Sequence, residues 1–197
     1  MCLLSFDAIS VLLLKHYPKV LWIGVLGLMA VFQGCSLAVP AGIKPVTDFD
    51  VNQYLGHWYE IARLDNRFQR GLEQVTATYS LRKDGSICVE NAGRNIRDKQ
   101  KKTVTGSAKF IAGKQIGHLK LSFWRPFYSS YVIFHLEADY SVAMVCGSSK
   151  DCCWILAKNP VLSAEDLAKY LRIAKENGFA AERFIYTSGT AAANTVD

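Results

Sequence analysis

Short runs rich in valine, isoleucine, threonine, tyrosine and phenylalanine occupy the middle of the chain, and glycine, aspartate, asparagine or serine bounds each run. Runs of this composition and spacing are typical of the strands of an antiparallel barrel or sandwich. The connections at residues 83–85 and 138–140 are short enough to require antiparallel neighbours. The pattern predicts eight strands, at residues 57–65, 74–82, 86–95, 101–111, 117–124, 130–138, 141–147 and 152–158.

After Pro160 the apolar period changes from two residues to about 3.6, which indicates one amphipathic helix. Its apolar stripe consists of Leu167, Tyr170, Leu171 and Ala174. Ser163 is a typical helix N-cap and Gly178 a typical helix stop. We expect a short final strand at residues 183–187 and a mobile polar tail at residues 188–197. An open sheet would leave two unpaired edges, so the eight strands are expected to close into a barrel.

The beginning of the chain follows a different pattern. A basic stretch ending at Lys19 precedes the uncharged, largely apolar residues 20–32, and Gly34-Cys35 follows. This order is typical of a secretory signal. It also resembles the lipobox of bacterial lipoproteins, in which the cysteine is acylated and becomes the first residue of the mature protein. The resemblance implies a signal peptide at residues 1–34, a lipidated Cys35 and a tether over residues 35–46, whereas plain secretion or a retained anchor are the alternatives.

The net charge and the lack of catalytic motifs argue against two classes of function, nucleic-acid binding and catalysis. The formal net charge is +6, and the loss of residues 1–34 would lower it to +5 by removing two lysines and one aspartate. No basic helix or aromatic RNA-binding motif accompanies this charge, so we do not expect a nucleic-acid partner. The sequence has no nucleophile elbow and no P-loop, and its four histidines are scattered. We therefore expect no catalytic residue, no metal and no cofactor.

Three motifs carry a specific resemblance. Residues 56–59 read Gly-His-Trp-Tyr, the signature that opens the first strand of lipocalins. Residues 138–140 stand at the second motif of that family, and Lys158 closes the eighth strand where the family typically has arginine. Further segments resemble the bacterial outer-membrane lipocalins, namely residues 67–73, 76–81 and 126–128. The stretch from 47 to 187 therefore resembles one lipocalin domain.

The resemblance implies an all-β fold, an eight-stranded antiparallel up-and-down barrel with one C-terminal α-helix and a short final strand. It also implies that Trp58 and Lys158 plug the closed end of the barrel. Such a barrel would bind an apolar or amphipathic ligand of the fatty acid or lysophospholipid class, without chemistry, at the outer membrane and facing the periplasm. Two alternative functions remain open, a surface lipoprotein with a solid barrel and a lipocalin-type enzyme. A homodimer also remains open.

Alternate side chains of a barrel strand face inward, which nominates the ligand-binding residues. The predicted inward faces contain Val75, Ala77, Tyr79, Leu119, Leu121, Phe123 and Phe134. Tyr128, near the predicted mouth, is a candidate donor to a head group. The same apolar faces would equally fill a solid core, so the pattern alone does not distinguish the two functions.

Two further groups of residues have open interpretations. The connection between the third and fourth strands is basic, with Arg94, Arg97, Lys99, Lys101 and Lys102. It is either a solvated face or a surface that attracts phosphate head groups. Four cysteines remain beyond Cys35, namely Cys88, Cys146, Cys152 and Cys153, and their pairing is not deducible from spacing.

Overall fold

The computed structural model describes residues 37–187. The predicted signal peptide, Cys35 and the tail at residues 188–197 lie outside the described residues. The helices of the described part are α1 (Val51–Tyr54), α2 (Ala164–Glu176) and a 3₁₀ turn (Ala181–Arg183). The strands described there are β1 (Gly56–Leu64), β2 (Leu72–Leu81), β3 (Ile87–Asn95), β4 (Lys101–Phe110), β5 (His118–Ser122), β6 (Ser129–Leu136), β7 (Val142–Cys146), β8 (Cys153–Ala157) and β9 (Phe184–Tyr186).

Each strand from β1 to β8 pairs antiparallel with the next strand in the sequence. Strand β1 pairs with both β2 and β8, and this double pairing closes the sheet. Strand β9 pairs with the last three residues of β1. The predicted fold, a closed eight-stranded barrel with one helix and a short final strand, is confirmed. The short helix α1 was not predicted, because four residues are too few to show a helical period.

The up-and-down order gives the barrel two ends. We call the closed end the one that carries α1 and the connections at residues 82–86, 111–117 and 137–141. We call the open end the opposite one. Its loops are residues 65–71, 96–100, 123–128 and 147–152.

The apolar residues form two clusters. One fills the barrel and includes Trp58, Tyr79 and Leu119. The other lies outside the barrel wall, beneath α2, and includes Leu167 and Tyr170 of the predicted helical stripe. Because both clusters are built within the described residues, this part of the chain has its own core and is expected to fold independently.

Strand β6 corrects one predicted ligand-binding residue. Phe134 packs against the cluster beneath α2, where its ring stacks on Phe179 with centroids 5.2 Å apart. The inward positions are Tyr131 and Ile133, and a register shift then turns Leu136 inward as well. The prediction for Phe134 is wrong because β6 is covered on both faces, so apolar residues occur on both and the pattern does not reveal the phase.

Candidate ligand-binding site

The closed end is held by a tryptophan and a cation. Trp58 on β1 is fully buried, and its indole N–H donates to the carbonyl of Tyr54 over 2.7 Å. The ammonium of Lys158 lies 4.3 Å from the centre of the Trp58 ring and donates to the carbonyl of Leu55 over 2.6 Å. Burial lowers the pKa of Lys158. The two residues predicted as the plug are therefore in contact, and Lys158 also joins the end of the barrel to the chain segment that follows α1.

Six predicted lining residues lie on the inner side of the wall. Ala77, Tyr79 and Leu119 are buried in the inner cluster, and Leu121 and Phe123 pack against it. Val75 is buried and shares the alternation of Ala77 and Tyr79 along β2. The Phe123 ring lies over Gly106, where an added Cβ would come within 2.7 Å of the ring. Glycine at this position therefore gives Phe123 its place in the barrel.

Tyr128 does not line the cavity, and the predicted role at the mouth is wrong for this residue. Leu121 points inward and is paired with Ser129, so Ser129 also points inward. Tyr128, the residue before Ser129, therefore points outward. The ammonium of Lys120, on the outer face of β5, lies 5.3 Å from the Tyr128 ring. The physical reason is the β5–β6 register, which the sequence does not display.

The cavity inside the barrel is small. Its volume is about 10 Å³, which is the space of about one water molecule. It is lined by Phe49, Tyr54, Tyr79, Ile87, Val89, Ala108, Leu119, Leu121 and Tyr131. The side chains around this cavity are therefore packed almost in contact, and a larger guest requires them to move.

Three tyrosines bring hydroxyl groups together at this cavity. The Tyr131 hydroxyl lies 2.7 Å from that of Tyr54 and 2.7 Å from that of Tyr79. Burial raises the pKa of Tyr79 to about 12 and that of Tyr54 and Tyr131 well above their usual value, so all three stay neutral. The Tyr54 and Tyr79 side chains also interact with each other. Each hydroxyl is both a donor and an acceptor, so the tyrosine trio places polar groups in an otherwise apolar cavity.

The alternation along the second strand indicated Tyr79, but no pattern in the sequence indicated its two partners. Tyr131 follows from the correct phase of β6, which the alternation did not reveal. Tyr54 stands four residues before Trp58, and one turn of helix brings it beneath the indole ring. The only local signal for that turn is Asp50, whose side chain caps α1 by accepting from the Asn52 N–H.

A second polar cluster lies where β1 meets the loop at residues 65–71. Glu60 and Arg63 are both buried and form an ion pair with a nitrogen–oxygen distance of 2.5 Å. Burial raises the pKa of Glu60, against the opposing effect of Arg63. Gln69 donates to Glu60 over 2.7 Å and accepts from the indole of Trp154 over 2.7 Å. Arg63 also donates to the carbonyls of Gln69 and Leu72, so this cluster fixes the base of the loop.

The cysteines of the described part are unpaired. Cys146 and Cys153 face each other across β7 and β8, and both are buried beneath α2. Burial raises the pKa of the Cys146 thiol to about 12. Residues 37–187 contain no group of three or more potential metal ligands and no helix long and apolar enough to cross a bilayer.

A closed barrel with an apolar interior, an aromatic and cationic plug and a flanking helix defines a lipocalin-type ligand-binding protein. The family model described as a lipocalin-like domain matches residues 49–189. The chain is 46% identical to outer membrane lipoprotein Blc of Vibrio cholerae over 154 residues, which cover 78% of this chain and 90% of that protein. It is 44% identical to outer membrane lipoprotein Blc of Escherichia coli K12 over 147 residues, covering 75% and 83%. The chain belongs to the lipocalin-like family.

The solved structures include insecticyanin of the tobacco hornworm Manduca sexta, which superposes with a TM-score of 0.62 at 18% identity. The match covers 79% of this chain and 89% of insecticyanin, and at this identity it establishes the fold. The predicted resemblance to bacterial outer-membrane lipocalins is confirmed by the two Blc relatives. Their names also match the predicted location at the outer membrane of the cell envelope, and the family binds small hydrophobic ligands.

Proposed function

We propose that the protein binds one fatty acid or lysophospholipid inside the barrel and stores or carries it at the bacterial envelope without converting it. The tyrosine trio is the observation that carries this proposal. Buried hydroxyls cost free energy that apolar side chains of the same size would avoid. Three hydroxyls in the middle of an apolar barrel are therefore better explained by recognition of a polar atom than by packing. An acyl carbonyl oxygen, which both ligand classes carry, can accept a hydrogen bond from one of these hydroxyls.

The ligand enters by displacing side chains. Pockets for small molecules typically measure about 300–1,000 Å³, far more than the cavity between the packed walls. Leu121 and Phe123 are only partly buried, and they lie toward the open end, one near the end of β5 and the other directly after it. Movement of these two side chains would extend the cavity toward the open end. The hydrocarbon chain of a fatty acid would then lie along the apolar walls toward the open end, with its carboxyl oxygen at the tyrosine trio.

Native mass spectrometry of residues 36–197, titrated with fatty acids and with lysophospholipids, tests the proposal. We expect a saturable adduct of one molecule per barrel. Ala77→Leu adds volume on the inner face of β2 and should weaken binding by about tenfold. Thr76→Leu makes a comparable apolar substitution on the outer face of the same strand and should leave affinity unchanged. Equal affinity in both variants would contradict the assignment of the ligand to the barrel interior.

The packed interior also favours a second function, that of a surface lipoprotein with a solid barrel. Under this alternative no fatty acid or lysophospholipid would form an adduct, although circular dichroism would show a folded barrel. A one-to-one adduct that depends on Ala77 would exclude a solid barrel.

We further propose that Cys35 is acylated and holds the domain at the outer membrane on the periplasmic side. The basic, apolar and cysteine-containing order of the first 35 residues and the names of the Blc relatives support this proposal. Cys35→Ser in the full chain should prevent incorporation of labelled palmitate. Incorporation equal to that of the unchanged protein would contradict lipidation at this cysteine.

A further inference from the structure

The open end carries the most exposed aromatic side chains of the described residues. Phe68 is 69% exposed, Trp124 is 66% exposed and Phe127 is 56% exposed. Ile96, on a third loop of the same end, is 50% exposed. Large apolar side chains that cluster at one end of a soluble domain typically mark a surface for a partner or a membrane.

The backbone around these side chains is well connected. The Phe68 N–H donates to the side chain of Asn66, and the base of this loop is fixed by the buried cluster around Glu60. On the loop between β5 and β6, the Phe127 N–H donates to the carbonyl of Trp124 over 2.9 Å. The exposure of these rings therefore results from a defined loop geometry.

The charge of the open end identifies the kind of surface that it fits. Its four loops contain six basic and three acidic residues, a net charge of +3. The connections of the closed end contain three of each and are neutral. The cations lie beside the aromatic rings, with Arg125 in sequence between Trp124 and Phe127, and the Arg67 guanidinium 4.9 Å from the Phe68 ring.

We propose that the open end is a membrane-docking surface that inserts Phe68, Trp124 and Phe127 into the interface of a bilayer containing anionic phospholipid. Aromatic rings favour the head-group region of a bilayer, and neighbouring Lys and Arg are attracted to anionic lipid. Docking of a second copy through the same face would bring two surfaces of net charge +3 together, which is repulsive. If the proposed ligand-binding function also holds, a docked open end passes the ligand between bilayer and barrel without exposure to water.

The test measures flotation of residues 36–197, which lack the anchor site, with vesicles of phosphatidylcholine with and without phosphatidylglycerol. We expect binding to the anionic vesicles that weakens as salt is added. The variant Phe68→Ser/Trp124→Ser/Phe127→Ser should bind more weakly, by about tenfold for each ring removed. The control Leu81→Ser/Ile111→Ser/Val161→Ser removes three exposed apolar side chains near the closed end and should bind like the unchanged protein.

Fluorescence locates the inserted face independently of affinity. Residues 36–197 contain three tryptophans, of which Trp58 is buried and Trp154 partly buried, so a blue shift on vesicle binding would report Trp124. Trp124→Phe should abolish the shift while most of the binding remains.

Equal binding of both triple variants, or no binding of the unchanged protein to anionic vesicles, would overturn the proposal. Sedimentation that shows a dimer dissolved by the open-end variant would instead assign the surface to a second copy. Fatty acid binding in solution is measured on the same variants. Lost docking with retained fatty acid binding supports the docking surface, whereas failure of fatty acid binding in every protein contradicts only the proposed function.

Discussion

The two ends of the barrel use the same residue types in opposite environments. At the closed end Trp58 is fully buried, and Lys158 lies over its ring while donating to a backbone carbonyl. At the open end Trp124 and Phe68 are exposed, and Arg67 lies over the Phe68 ring. An aromatic ring with a cation is thus a structural plug at one end and a surface at the other. Burial, rather than residue type, determines which of the two it becomes.

The hydrogen bonds at the two ends follow the same division. At the closed end the Asp50 N–H donates to the Tyr140 hydroxyl over 2.8 Å, so the segment leading into α1 is fastened to the connection between β6 and β7. At the open end the buried cluster around Glu60 fixes the base of one loop and leaves its aromatic tip exposed. We therefore expect substitutions at the closed end to change stability and those at the open end to change binding.

The largest expected effect is the loss of the buried indole. Trp58→Ala should lower the free energy of unfolding by about 3–5 kcal/mol, because it leaves a cavity and removes the partners of Tyr54 and Lys158. Trp124→Ala makes the same change at the open end and should cost less than about 0.5 kcal/mol. Urea denaturation of both variants measures the difference. Similar costs at the two positions would mean that the ends are not divided into a structural and a surface region.

The tyrosine trio lies between the two ends, and substitutions in it should change both stability and ligand binding. Tyr131→Phe removes the hydroxyl that contacts Tyr54 and Tyr79, and the loss should cost about 1–3 kcal/mol of stability. Fatty acid affinity should also fall, by about five- to tenfold. Tyr128→Phe removes a hydroxyl from the outer face three residues earlier and should change neither quantity. Unaltered affinity in Tyr131→Phe would remove the trio from the ligand site.

The sequence predicted the plug and the inner faces of two strands, but it did not predict the inner face of β6. The plug followed from the resemblance to lipocalins, which identifies Trp58 in the first strand and Lys158 directly after the eighth. The inner faces of β2 and β5 followed from alternation, since polar residues occupy their outer faces. In β6 only His135 interrupts the apolar residues 131–136, so the phase was undetermined and Phe134 was misplaced.

The polar contacts of the interior could not be predicted from local sequence patterns, because they join residues that are far apart in the chain. Tyr131 is 77 residues from Tyr54 and 52 residues from Tyr79, and their contact depends on barrel closure and strand register. Glu60 and Arg63 look like ordinary strand charges in the sequence, and only the fold shows that Gln69 and Trp154 complete their hydrogen bonds. Pattern therefore reveals which strands form, whereas contacts across the barrel depend on the assembled sheet.

Glu137, at the closed end, is expected to make a contribution to the free energy of unfolding that depends on pH. Glu137 accepts from Lys169 over 2.7 Å, from Tyr170 over 3.0 Å and from His135 over 3.1 Å. The Lys169 hydrogen bond is the main cause that lowers the pKa of Glu137 from 4.5 to about 2. The folded state favours the charged carboxylate. The stability that Glu137 contributes is therefore complete above its pKa in the unfolded state, and it is lost as the pH falls through its pKa in the folded state.

Glu137→Gln should accordingly lower stability by about 1–2 kcal/mol at neutral pH, after allowance for solvent screening. The difference from the unchanged protein should shrink as the pH falls below 4.5 and vanish below about 2. Urea denaturation across this range is the measurement. Glu73→Gln disrupts an exposed ion pair with Lys99 near the open end and should cost about 0–0.5 kcal/mol. A constant difference at all pH values would show that Glu137 acts through its shape instead of its charge.

The smallest effect concerns the cation of the plug. Lys158→Arg should raise stability by about 0.5–1 kcal/mol, because a guanidinium stacks flat on the indole of Trp58 and has N–H groups beyond the one that Leu55 accepts. Arg67→Lys makes the reverse change over Phe68 at the open end, where solvent leaves an expected effect below about 0.3 kcal/mol. Thermal unfolding of both variants compares the two cation–aromatic pairs directly. A loss of stability in Lys158→Arg would show that the space between Trp58, the Leu55 carbonyl and Gly56 is fitted to an ammonium, since a Cβ on Gly56 would already lie 3.6 Å from the lysine nitrogen.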